Sequence, residues 1–132
     1  MTDPGDAGKL GGDATPTQSR WRTRIFETDR FVDDCARALT EDHTHKAVRE
    51  ILARAVSEPG DVLAALGEPG EAGILKLHHA DDLTILNVVW APMRTLMPHN
   101  HNMWAVIGVY TGREDNIFWR RTDDGRVEAA GA

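Results

Sequence analysis

Cys35 is the only cysteine in the chain, so no intramolecular disulfide can form and nothing points to an oxidising compartment. It lies in Phe31-Val-Asp-Asp-Cys-Ala-Arg-Ala-Leu39, spaced to share a helix face with Phe31 and Leu39. That placement reads as a small buried apolar residue rather than a nucleophile. Basic excess is also lacking: the formal net charge is −6, which argues against a general binder of nucleic acid, whose phosphates need neutralising. Arg20, Arg22 and Arg24 around Trp21 form a small basic cluster, read as a solvated lead into the first helix. There is no N-terminal apolar segment of signal-peptide type and no apolar run long enough to span a bilayer. The expectation is a cytoplasmic protein with neither nucleic acid nor membrane as partner. Large aliphatic residues are scarce at the start, where Leu10 is the only one after Met1 among Pro4, Gly5, Gly8, Gly11, Gly12 and Pro16. Residues 1–20 therefore read as a disordered tail that cannot offset its own ordering entropy.

What is present suits one domain. A length of 132 residues, with 41% hydrophobic and 27% charged side chains, is ordinary for a single globular core. Thr28 and Asp29 are expected to cap a first helix over about 29–41, with Phe31, Val32, Cys35, Ala38 and Leu39 on its apolar side. A second helix, about 44–57, places Val48, Ile51, Leu52, Ala55 and Val56 at three- and four-residue spacing. It is expected to stop near Pro59-Gly60, and Asp61 to start a short helical turn ended by Gly67-Glu-Pro-Gly70. Residues 21–70 thus form an N-terminal helical segment.

The period then changes. Ile74–His79 and Leu83–Trp90 are aliphatic and β-branched runs joined by Ala80-Asp81-Asp82, which predicts a hairpin. Met103–Tyr110 reads as a third strand, Asp115–Arg121 as a fourth and Arg126–Ala129 as a short fifth, with turns at Thr111-Gly112-Arg113 and Asp123-Asp124-Gly125. Helices followed by consecutive antiparallel strands predict an α+β chain, mainly β. In the third strand, if extension begins at Pro98, His99, His101, Met103, Ala105, Ile107 and Val109 share one side. Trp104, Val106, Gly108 and Tyr110 take the other. Both sides are apolar, so one would line a barrel interior while the helices cover the other.

His99-Asn100-His101 carries the chemistry. Two imidazoles at i and i+2 on one strand face can reach a single metal ion, and imidazole suits Fe, Zn, Ni and Cu. Pro98 fixes the backbone immediately before the pair. The plain alternative is a pair of half-exposed, hydrogen-bonded strand-end histidines.

These residues and their flanks resemble the first motif of the cupin superfamily: a glycine, five residues, His-x-His, three or four residues, a glutamate, six residues and a glycine. The corresponding positions are Met93, His99, His101, Ala105 and Gly112. The histidines, their spacing and the closing glycine match, whereas the first glycine and the glutamate do not. Over about residues 83–121 the chain, with Trp104-Ala-Val-Ile-Gly-Val-Tyr-Thr-Gly-Arg-Glu-Asp-Asn116, is similar to a metal-dependent double-stranded β-helix group related to cysteine dioxygenases. That resemblance implies N-terminal helices followed by a cupin barrel, here incomplete, over 71–132. It implies His99 and His101 as metal ligands, Fe(II) as cofactor with another divalent transition metal as the substitute, and a small thiol and O₂ as substrates. With Ala105 in place of the glutamate, the protein ligands would be neutral imidazoles alone. The implied reaction oxidises the thiol to a sulfinic acid. A non-catalytic cupin-like module that binds a small ligand or partner is the alternative, and a Zn or Mn isomerase a third reading.

The second cupin motif supplies a further histidine, and none follows His101 in this sequence. Three explanations stand open. The chain is part of a longer dioxygenase-like protein, or it pairs with a second copy as a homodimer, or another residue completes the site. For the last, His78 and His79 end the first strand, Glu114 follows a turn, and His43 and His45 flank a helix start and read as surface residues. Met93, Met97 and Met103 are candidates for a substrate pocket or for core filling, and Arg94 for a substrate carboxylate. Trp90, Trp104 and Trp119 read as core or sheet-face residues, and Asn87 as a pocket candidate.

Overall fold

The structure, a computed structural model, describes residues 25–132; the expected tail over 1–20 and the arginines around Trp21 lie outside the described residues. Helices α1 (Thr28–Glu41), α2 (His45–Val56) and α3 (Pro59–Leu66) precede strands β1 (Gly73–His79), β2 (Thr84–Val89), β3 (Phe118–Arg121) and β4 (Val127–Gly131). The strands form two separate antiparallel pairs, β1–β2 and β3–β4. The fold is mixed α+β, and no closed barrel forms among the described residues.

The start of α1 differs from the expected Thr28 or Asp29 cap. Glu27 is the N-cap and makes no side-chain capping bond. The end is fixed by a hydrophobic staple instead: Phe26, just before the cap, stacks on Phe31 in the first full turn with ring centroids 5.4 Å apart. Asp29 sits inside the first turn, where a negative charge suits the helix dipole. Asp42 ends α1 in an extended conformation, and its carboxylate accepts the Thr44 N–H at 2.8 Å. The Thr44 hydroxyl and N–H hold the Asp42 carboxyl below the ordinary carboxylate range. Thr44 then caps α2 by accepting the Lys46 N–H. Pro59 does not terminate α2, which ends earlier at Val56; it is the first residue of α3. Its fixed φ and missing N–H suit that position.

The core lies between α1, α2 and the β1–β2 hairpin. Cys35, Leu39, Val48 and Leu83 are buried together, with Phe31, Ala36, Ile51 and Ile85 packed against them. Cys35 is 1% exposed, as its helix spacing predicts. The hairpin turn closes through the Ala80 N–H and the Leu83 carbonyl at 2.8 Å. Its register runs from Gly73 opposite Val89 to His79 opposite Thr84, with a bulge between Lys76 and His78.

Met103–Tyr110 is not a strand, because no neighbouring strand supplies a hydrogen-bonded ladder to it. It still alternates: Val106, Gly108 and Tyr110 are half-buried while Ala105, Ile107 and Val109 are exposed. The inner side reaches the helices at Gly108, where an added Cβ would lie 2.8 Å from Val56 Cγ1 and 3.0 Å from Leu52 Cγ. It reaches β2 at Tyr110, whose hydroxyl donates to Asn87 Oδ1 at 2.8 Å. Only that one side is covered, not both.

The last hairpin is shorter at its start than expected. Arg113 pairs with Asp115 and Asn116 donates to Glu114, local side-chain contacts that precede the ladder beginning at Phe118. Gly125, at φ 80, supplies the left-handed residue of the β3–β4 turn. Every residue of both strands is exposed. No described helix is long and apolar enough to cross a membrane.

Candidate metal centre

His99 and His101 lie in irregular chain between β2 and Met103, not on a strand face. They nevertheless converge. Their Nε2 atoms are 3.2 Å apart, and the ring centroids are 5.1 Å apart with a 41° interplanar angle. A turn brings them together where a strand was expected to. Asn100 Oδ1 accepts the Asn102 N–H at 2.7 Å, an Asx turn that folds the chain back around the intervening residue. Asn102 sits at φ 56, a left-handed conformation that asparagine tolerates better than most residues. The asparagines alternating with the histidines were the available sequence signal for this geometry.

The hydrogen bonds assign the proton positions. His99 Nδ1 is 2.9 Å from the Met97 carbonyl, an acceptor only, so Nδ1–H donates and Nε2 carries the lone pair. The 3.2 Å contact is then a hydrogen bond from His101 Nε2–H to His99 Nε2. A backbone carbonyl on the non-ligating nitrogen is a common support for a metal-binding imidazole, fixing its tautomer and orientation.

The span also fits a metal. Two nitrogens each about 2.0–2.1 Å from one ion, at angles between square and tetrahedral, are separated by roughly 2.9–3.4 Å. The observed 3.2 Å lies within that range. To bind through both Nε2 atoms, His101 must move its ring proton to Nδ1. The pair offers two adjacent neutral ligands, and among the described residues no group of three or more His, Cys, Asp or Glu side chains gathers to hold a metal.

The other candidates go elsewhere. His79 Nδ1 is bonded to the Thr84 hydroxyl at 2.8 Å, a cross-strand contact within the hairpin, while His78 is half-buried. His43 and His45 are exposed, as expected of residues at a helix start. Glu114 is exposed and takes the Asn116 amide. Arg94 lines a shallow depression of about 220 Å³ with Gly73, Ile74, Val88 and Trp90, and no histidine borders it.

Several packing expectations are corrected. Met93, Met97 and Met103 are 97%, 81% and 77% exposed and fill no core. Trp90, Trp104 and Trp119 are likewise on the surface, because no second apolar layer covers their faces. Asn87 is occupied by Tyr110 rather than open to a pocket. Met93 holds a left-handed conformation, φ 59, uncommon for a non-glycine residue; with Asn102 it brackets the histidine segment. No protein-family model, curated protein or solved structure matches the chain.

Proposed function

We propose that this chain carries the site of a metal-dependent, cupin-like thiol dioxygenase, with His99 and His101 as protein ligands to Fe(II). The observation that carries the reading is the convergence of the two Nε2 atoms at 3.2 Å with the His99 Nδ1–H held by the Met97 carbonyl. The His99 Nε2 lone pair is left free for a metal by the Met97 contact, and the same 3.2 Å separation that a hydrogen bond spans in the free pair also suits two nitrogens on one ion. Met97 orients one ring, and the Asn100–Asn102 turn brings the other to it. Both ligands are neutral, so an anionic substrate group is favoured beside them on electrostatic grounds. Fe(II) held there would supply O₂ activation for converting a small thiol to its sulfinic acid, both atoms of O₂ entering the product.

Anaerobic Fe(II) loading followed by metal analysis tests the ligand assignment. The expected result is retained iron that is lost in His99→Ala and His101→Ala. Retention below about 0.1 iron per chain, unchanged in His99→Ala, refutes it, since true ligands contribute directly to affinity. O₂ uptake with a panel of small thiols then tests the reaction. Metal binding without uptake above the metal-free blank leaves a cupin-like binding module.

A further inference from the structure

We propose that the His99–His101 pair is one half of a four-histidine metal site shared by two copies of this chain, with the exposed side of residues 103–109 as the contact around it. This rests on the pair being metal ligands, as argued above. Four observations lead to the second copy.

The first is the donor count. The pair gives two adjacent nitrogens at a chelating span, and no third donor group joins it among the described residues. A bidentate site leaves half or more of a transition metal's coordination positions unfilled. The second is where the remaining histidines are. The sequence has six; His43 lies just before α2 and His45 begins it, and His78 and His79 end β1 with His79 engaged by Thr84. None of the four clusters with the pair.

Exposure is the third. His99 and His101 are both exposed, so a second chain can approach their Nε2 edges. The fourth is the surface beside them. Met103, Ile107 and Val109 are exposed on one side of the chain, while the opposite side packs at Gly108 and Tyr110. These side chains lie beside the histidine pair on the uncovered side, so a chain that reaches the metal also meets apolar surface it can bury.

Symmetry makes the second copy the fitting occupant. A two-fold axis through the metal turns one His pair into two identical pairs without requiring any new residue, and isologous contacts are the commonest way for identical chains to assemble. Four imidazoles complete a tetrahedral ion such as Zn(II). On a six-coordinate ion they leave two positions, enough for a substrate atom and O₂.

Native mass spectrometry with Zn(II) as the probe, run beside light scattering, decides the matter. The expected result is a species of two chains and one Zn(II), reversed by chelator and absent in His99→Ala and His101→Ala. Ile107→Glu alters no ligand and sits on the exposed side; it should weaken the two-chain Zn(II) species by at least about tenfold, as a charge at the centre of an apolar contact does. One Zn(II) per single chain, or two chains carrying two Zn(II) ions, overturns the shared site while leaving the ligand assignment standing. No Zn(II) binding by the wild-type chain removes both. An unchanged two-chain species in Ile107→Glu removes the proposed contact.

Discussion

Gly108→Ala adds one carbon at the place where the histidine-bearing segment meets the helices. The new Cβ would lie 2.8 Å from Val56 Cγ1, 3.0 Å from Leu52 Cγ and 3.2 Å from Leu52 Cδ1. Carbon atoms in favourable contact sit about 3.5–4.0 Å apart, so the segment or the helix must yield by several tenths of an ångström. Val56 is stiff at χ1 in a helix, and Leu52 lies one turn earlier on the same face of α2, so neither gives way freely. Overpacking of this kind costs about 1–3 kcal/mol. Gly108 is not in the left-handed region, so alanine brings no backbone strain and recovers about 0.4–1 kcal/mol by restricting the unfolded chain. The net expectation is a loss of about 0–2.6 kcal/mol, each kcal/mol worth about 4 °C in Tm for a chain between the 60–100 and 150–250 residue classes. Urea melts followed by far-UV circular dichroism measure it. Val56→Ala in the Gly108→Ala background removes the closest clash, so the two substitutions should couple favourably by about 1 kcal/mol. Clear stabilisation by Gly108→Ala, or strict additivity in the double variant, refutes the close approach of this segment to α2.

Tyr110→Phe leaves the half-buried Asn87 amide oxygen without its donor and should destabilise the fold by about 0.5–1.5 kcal/mol, read from the urea midpoint. Asn102→Gly should preserve Zn(II) binding because glycine accepts the left-handed conformation, whereas Asn102→Val should weaken it about tenfold or more by opening the turn around the pair. Isothermal titration separates the two, and equal affinities would show that the turn does not position the rings. Burial, and secondarily the neighbouring Asp34, pushes the Cys35 thiol up to about 11. Native protein should therefore resist iodoacetamide at pH 8 and react once unfolded in urea. The same shift fixes a sign: the folded state keeps the proton longer than the unfolded chain, whose thiol has the ordinary value of 9.0. Its contribution to stability is full below pH 9 and is lost as pH rises through about 11, so wild type should lose more stability than Cys35→Ala across that window.

Local periodicity was a sound guide wherever an element's partners are close in sequence. Val48, Ile51, Leu52, Ala55 and Val56 mark the inner face of α2, and the runs either side of Ala80-Asp81-Asp82 form the expected hairpin. It misled where structure depends on a distant neighbour. The alternation in Met103–Tyr110 survives as alternating exposure, yet a strand needs a ladder partner, and composition alone does not say whether one is adjacent. The core reading of the tryptophans failed for the same reason, since they are buried only if another layer arrives; Trp119 holds the sheet-face alternative on β3. At the candidate site, the histidine pair was legible but its geometry was not. The strand argument reached convergence by the wrong route, and the operative residues are Asn100 and Asn102, whose turn chemistry lies between and just after the histidines.

At the shared site proposed above, metal binding and assembly would be linked by thermodynamic necessity. An exposed bidentate pair must compete with water for every remaining position on the ion, and its surroundings offer little to exclude that water. A second chain arriving on the side of Met103, Ile107 and Val109 changes both terms together, adding two nitrogens and covering apolar surface that is otherwise solvated. The free energy by which the metal strengthens the two-chain state therefore equals that by which the second chain strengthens metal binding. Neither event needs to be favourable alone. On that proposal, the ligand positions and the apolar surface that one chain leaves open at His99, His101 and residues 103–109 would both be filled by its copy.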